Sequence, residues 1–217
     1  PGTATLNEAE TTGLTGNLVL DNTYSATVLG QLTALYNPNS AGTAVIDATG
    51  MSTSQKAALA ANAGSIDQIN NLALDSTQSA SAIAAILPVA QAATVNATGM
   101  SSAQVDAVAS GIASKSSSVQ SITGLSLDSG QDATELGDLF AKTADDSVTV
   151  DASGMGQAQL TALVTHQSKI GTLNTLTLDL TDGTDAAPST PEGITALLGL
   201  ATAVTVNATD ASADELT

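Results

Sequence analysis

The stretch ATVNATGMSSAQ, residues 93–104, is written four times in this chain with small changes. The other versions are AVIDATGMSTSQ from Ala44, VTVDASGMGQAQ from Val148 and VTVNATDASADE from Val204. An active site needs its residues once, whereas a scaffold of stacked turns must specify each turn again. The phrase therefore points to architecture before chemistry.

A second phrase alternates with the first. Its copies end at Leu20-Asp21, Leu74-Asp75, Leu127-Asp128 and Leu178-Asp179, and those of the first kind end at Ile46-Asp47, Val95-Asn96, Val150-Asp151 and Val206-Asn207. The Asp or Asn residues recur on average about every 27 residues, within the period of repeat arrays. The two-residue alternation of VTVD, LTLD and LSLD predicts a short strand with apolar residues on one face. A helix should follow at once. Ser52 with Gln55, Ser101 with Gln104 and Ser212 with Glu215 have the spacing of a capping box, in which a hydroxyl and a side chain three residues on satisfy orphan N–H groups. Gly156 stands in the serine position of the third copy. The helices then carry narrow apolar stripes, as at Val105, Val108 and Ile112 or at Leu160, Leu163 and Val164.

The approach to the second phrase is more regular still. Ile66, Ile69, Leu72 and Leu74 match Val119, Ile122, Leu125 and Leu127, and match Ile170, Leu173, Leu176 and Leu178, always at steps of three, three and two. Here the chain resembles the leucine-rich repeat family, whose LxxLxxLxL motif sets the last two leucines on an inward-facing strand. The resemblance covers the second phrase well and the first loosely, as at Ala201, Val204 and Val206. The family's asparagine stands three residues after the final leucine, but here Asp follows directly, so its asparagine ladder does not carry over. What the resemblance implies is an α/β fold: a right-handed β/α solenoid of stacked strand–helix repeats, with a parallel sheet on one face and helices on the other. Residues 1–17 are expected to form a lead-in or partial cap, and 18–217 the array, cut inside its last repeat.

Composition narrows the function classes. Four Lys, no Arg and 21 acids, of which 16 are Asp, give a net charge of −17, which repels phosphate backbones and anionic lipid. Nucleic acid is thus excluded as an expected partner, and no apolar run is long enough for membrane insertion. There is no Cys, hence no disulfide framework. With 42% hydrophobic but only 1% aromatic residues, the core must be built of Ala, Val, Ile and Leu. An acidic repeat chain of this kind reads as extracellular or cell-surface and bacterial.

Among polar residues, the column Asp21, Asp47, Asp75, Asn96, Asp128, Asp151, Asp179 and Asn207 is read as a ladder of Asx turns closing the strands. One oxygen donor per turn is far from the six to eight that calcium takes. Acid pairs at Asp145 and Asp146, and at Asp182 and Asp185, sit where the spacing lengthens, and calcium is the one cofactor they could take. The sequons at Asn96 and Asn207 read as by-products of the turn, since Asp47 and Asp151 occupy the same position. Met51, Met100 and Met155 read as corner filling beside Gly50, Gly99 and Gly154, which suit a positive φ. His166 is the only histidine and reads as a partly solvated helix end. Outward strand positions Val19, Val45, Ala73, Thr94, Ser126, Thr149, Thr177 and Thr205 could face a regular surface such as a glycan lattice. The resulting expectation is a non-enzymatic structural segment of a surface protein, an adhesin stalk, spacer or surface-layer element, whose partners are neighbouring repeats or domains. A binding module using its sheet face on a glycan or protein is the alternative, and a polysaccharide-active enzyme comes third.

Overall fold

The computed structural model describes residues 17–36, 42–116, 118–179 and 191–207. These residues form a mixed α/β fold with seven helices and ten strands in three parallel sheets. The chain divides into two compact units, one of residues 1–95 with 110–120 and one of 96–109 with 121–217. Strand β5 (Ala93–Asn96), helix α4 (Ser102–Ser114) and strand β6 (Val119–Thr123) each have residues in both.

In the first unit, β1 (Leu18–Leu20), β2 (Ala44–Asp47) and β3 (Gln68–Asn70) form a parallel sheet in that order, and β4 (Leu72–Leu74) pairs in parallel with β5. Helices α1 (Ala26–Leu35), α2 (Thr53–Ala61) and α3 (Ala80–Ile86) follow β1, β2 and β4, and α2 packs against both others. The second unit repeats the scheme with β7 (Ser126–Leu127), α5 (Ala133–Phe140), β8 (Val148–Ala152), α6 (Gln157–Thr165), β9 (Ile170–Asp179), α7 (Pro191–Leu200) and β10 (Ala201–Asn207). Its sheet runs β10-β9-β8-β7.

The twelve quartet residues carry the core, none more than 5% exposed. Each fully buried Leu or Ile contributes roughly 1.5–3 kcal/mol from leaving water. The quartet was expected to be an approach followed by one strand; instead it makes two. Ile69 lies in β3 and pairs with Ile46, whereas Leu72 and Leu74 lie in β4 and pair with Ala93 and Val95. Asn71, at φ 54°, turns the chain between them. Gly124, at φ 63°, stands at the same place between β6 and β7, and a Cβ there would collide with the Thr98 hydroxyl. The third quartet has β-branched Thr175, which disfavours that conformation. Accordingly β9 runs unbroken for ten residues and takes up the difference as register shifts against β8.

These registers also correct the single column of eight turn residues. Leu20 lies beside Ile46 and Leu127 beside Val150, and Asp179 faces Asn207. Asp47, however, faces Asn70 rather than Asp75. The column is therefore a series of neighbouring pairs, interrupted wherever a first-kind strand hands over to the next quartet.

Candidate functional site

A recurring polar turn stands where strands end. At Asp21, Asp47 and Asp75 one carboxylate oxygen accepts the N–H of the residue two ahead, at 2.9, 3.1 and 2.8 Å. That residue is Thr23, Thr49 or Thr77, and its hydroxyl donates to the same oxygen at 2.5, 2.7 and 2.5 Å. These donors stabilise the charged form, so all three carboxyls are held below the usual carboxylate range, with the threonine hydroxyl the first cause. Asn71 adds a further donor to Asp47 at 3.1 Å.

In the second unit the same turn is made with less. Asp128 accepts the Gly130 N–H at 2.8 Å and Asp151 the Ser153 N–H at 3.1 Å. The other oxygen of Asp128 takes the Ser102 hydroxyl at 3.0 Å. Both carboxylates border a cleft of about 250 Å³ beside β7, β8 and β9. Met100, Val105 and Leu127 supply its apolar wall, and Ser102, Ser126, Thr149 and Asn174 its remaining polar groups. Carboxylates, hydroxyls and one amide over an apolar wall suit hydrogen bonding to a polyhydroxylated group and do not suit an anion.

Asn96 accepts the Thr98 N–H at 3.2 Å, so this sequon asparagine is itself a turn residue. Asp145 is engaged by Lys169 at 2.9 Å, and Asp146, at φ 54°, donates its N–H to the Ser168 carbonyl. A cation at this pair would compete with Lys169. Asp182 and Asp185 lie outside the described residues, as do residues 1–16 and Ser212 with Glu215. Met51 and Met155 are buried, but Met100 is half-buried on the cleft wall. Val164 is likewise half-buried rather than part of the core stripe. Gly50, Gly99 and Gly154 have φ of 66°, 74° and 74°. His166 ends α6 half-exposed, its ring stacked on Phe140 at 5.3 Å.

Sequence reasoning missed how far the capping glutamines reach. The Gln55 oxygen accepts the Ser52 N–H at 2.8 Å, while its amide donates to the carbonyls of Asn22 and Tyr24 at 3.0 and 2.7 Å. Gln159 does the same with Gly156 at 2.8 Å and with Ser129 and Gln131 at 3.2 and 2.5 Å. Each side chain thus caps its own helix and fastens it to the corner about 30 residues earlier. Gln78 and Gln131, both buried, accept the N–H of Asp75 and Asp128. The signal was present in DSTQS and DSGQD, residues 75–79 and 128–132. Lys56 was also missed. It is 5% exposed at the position where Val105 and Leu160 stand in other copies, with its ammonium donating to the Ala73 carbonyl at 2.5 Å. Burial pushes its pKa down, and Asp75 partly opposes this.

Among the described residues, no group of three or more His, Asp or Glu is placed to hold a metal ion, and no helix is long and apolar enough to cross a membrane. No protein-family model matches the chain, and neither a curated protein nor a solved structure matches it.

Proposed function

We propose that this chain is a structural repeat segment of a large bacterial cell-surface protein, working as an adhesin stalk, spacer or surface-layer element. The observation that carries this reading is where the repeated residues are used. The quartets are spent on the core, the Asx residues on strand-end turns, and the capping glutamines on fastening one corner to the next. A right-handed β/α solenoid is the arrangement in which each unit needs only its neighbours, and it would transmit load through a continuous core. The proposed partners are accordingly neighbouring repeats or domains, with no catalytic residue and no cofactor required. The charge of −17 favours a solvated extracellular setting and disfavours nucleic acid.

The cleft beside Asp128 and Asp151 favours a second reading, a binding module that recognises a glycan through the sheet face. A protease applied to intact cells that make the protein tests the first. Antibody signal for the chain should vanish from the cells without lysis, and a chain protected until lysis would overturn surface display. Binding on a glycan array that Asp151→Ala removes would establish the second.

A further inference from the structure

Strand β10 carries the fourth copy of the first phrase, and its apolar residues lie open. Val204 is 42% and Val206 51% exposed, whereas their counterparts Ala44 and Ile46, Ala93 and Val95, and Val148 and Val150 do not exceed 2%. Identical chemistry in an identical register has been left uncovered in one copy only. The sheet order shows the difference. Strand β2 lies between β1 and β3, and β8 between β7 and β9, but β10 has only β9 beside it among the described residues.

The earlier copies also show what the cover is made of. Against β8, the quartet of β9 sets Ile170 beside Val148, Leu173 beside Val150 and Leu176 beside Ala152. Against β2, Ile69 lies beside Ile46. We propose that the free edge of β10 is a docking surface for one further parallel strand bearing this quartet, supplied as an added half-unit of the same repeat. Its first two apolar residues would lie against Val204 and Val206, the positions that Ile170 and Leu173 take on β8 beside Val148 and Val150. A second copy of the chain is a poorer fit. Counting back along the sequence from Leu20, the quartet spacing falls on Thr12, Thr15, Leu18 and Leu20, two of them polar, and two chains of charge −17 repel. The inference rests on the repeat reading of the chain and not on where the protein is located.

The test appends a copy of residues 162–179 after Thr217, which continues the phrase in the register that Asp151 has with β9. Hydrogen exchange across residues 201–207 is compared in the original chain, the extended chain, and an extended chain with serine at the four appended quartet positions. The intact quartet should slow exchange about tenfold and the serine version should not. No slowing, equal slowing by the serine version, or an original chain already protected through self-association at Val206 overturns the proposal. Should extension impair folding, the same 18 residues added as a free peptide, with a serine control, give the same readout. Exchange at β8 and β9 is read in the same run. If those strands are unprotected in the original chain, the repeat reading itself fails; if they are protected while β10 stays open in every chain, only the docking surface fails.

Discussion

The strand-end corners of the first unit and those of the second make one turn with different residues. At Asp21, Asp47 and Asp75 a threonine two residues ahead donates both its N–H and its hydroxyl. At Asp128 and Asp151 the residue two ahead is Gly130 or Ser153, and only its N–H is donated to the carboxylate. The turn therefore needs the backbone donor alone. The variable residue decides whether the carboxylate is closed by its own corner or left open to something else. Asp128 uses that freedom on Ser102, and Asp151 faces the cleft.

The largest test of this contrast compares two leucines of the second unit. Leu173 is fully buried, so Leu173→Ala should cost about 3–5 kcal/mol in chemical denaturation. Leu127 pairs with Val150 on one side and lines the cleft, where water can fill the space, and Leu127→Ala should cost only about 2 kcal/mol. Equal costs would mean that the cleft is no more open than the core.

A smaller effect should be the same in both units. Gln55→Ala and Gln159→Ala each remove one acceptor from an N-cap N–H and two donors from the preceding corner. About 1–2 kcal/mol is expected for either, because water replaces the exposed bonds to Ser52 or Gly156 and to Asn22 or Ser129, while the part-buried Tyr24 or Gln131 carbonyl loses its donor. A cost at Gln55 several times that at Gln159 would show that the corners differ by more than their carboxylates.

The strands, the capping positions and the core quartets were legible because each rests on local periodicity or on a side chain bonding within three residues. Register was not. Whether Asp47 faces Asn70 or Asp75 depends on the left-handed step at Asn71, and one such residue among ordinary loop asparagines carries no distinctive signal. The long reach of Gln55 and Gln159 was hidden because their partners are backbone carbonyls, which every residue type supplies. The cleft was hidden for another reason: it joins Ser102, Asp128, Asp151 and Asn174 from four segments far apart in the sequence. The missed Lys56 could have been found by asking which copy departs from Val105 and Leu160.

Lys56 gives the next test, specific to the first unit. Its charged form is disfavoured by burial, so the folded protein holds this proton less tightly than the unfolded chain does. Stability from this group should therefore rise as pH increases through its lowered folded pKa, up to the ordinary lysine value near 10.4. Lys56→Met keeps the aliphatic length, removes the buried charge and leaves the Ala73 carbonyl one donor short. The balance should be a gain of up to about 1 kcal/mol at neutral pH, with the alkaline rise abolished. A clear loss in thermal melting would mean that the bond to Ala73 outweighs the cost of burying the ammonium.

The smallest effect concerns the three closed carboxylates, which lie exposed at Asp21 and half-exposed at Asp47 and Asp75, where solvent screens them. Because Asp21, Asp47 and Asp75 are held below the ordinary value, the folded state keeps them ionised where the unfolded chain begins to take up protons. Their contribution is complete above roughly pH 4, the unfolded value, and is lost as pH falls through the folded ones. Replacing Thr23, Thr49 and Thr77 together with Ala removes the hydroxyl donors and leaves the backbone turns in place. The triple variant should then be slightly less stable than the parent at pH 7 and show a flatter fall in denaturation midpoint below pH 4, so that the gap between the two narrows in acid. The matching replacement in the second unit, Ser153→Ala, should leave the acid slope unchanged, since no hydroxyl holds Asp151 at its corner. An acid slope that Ser153→Ala flattens as much as the triple variant does would erase the distinction between open and closed corners.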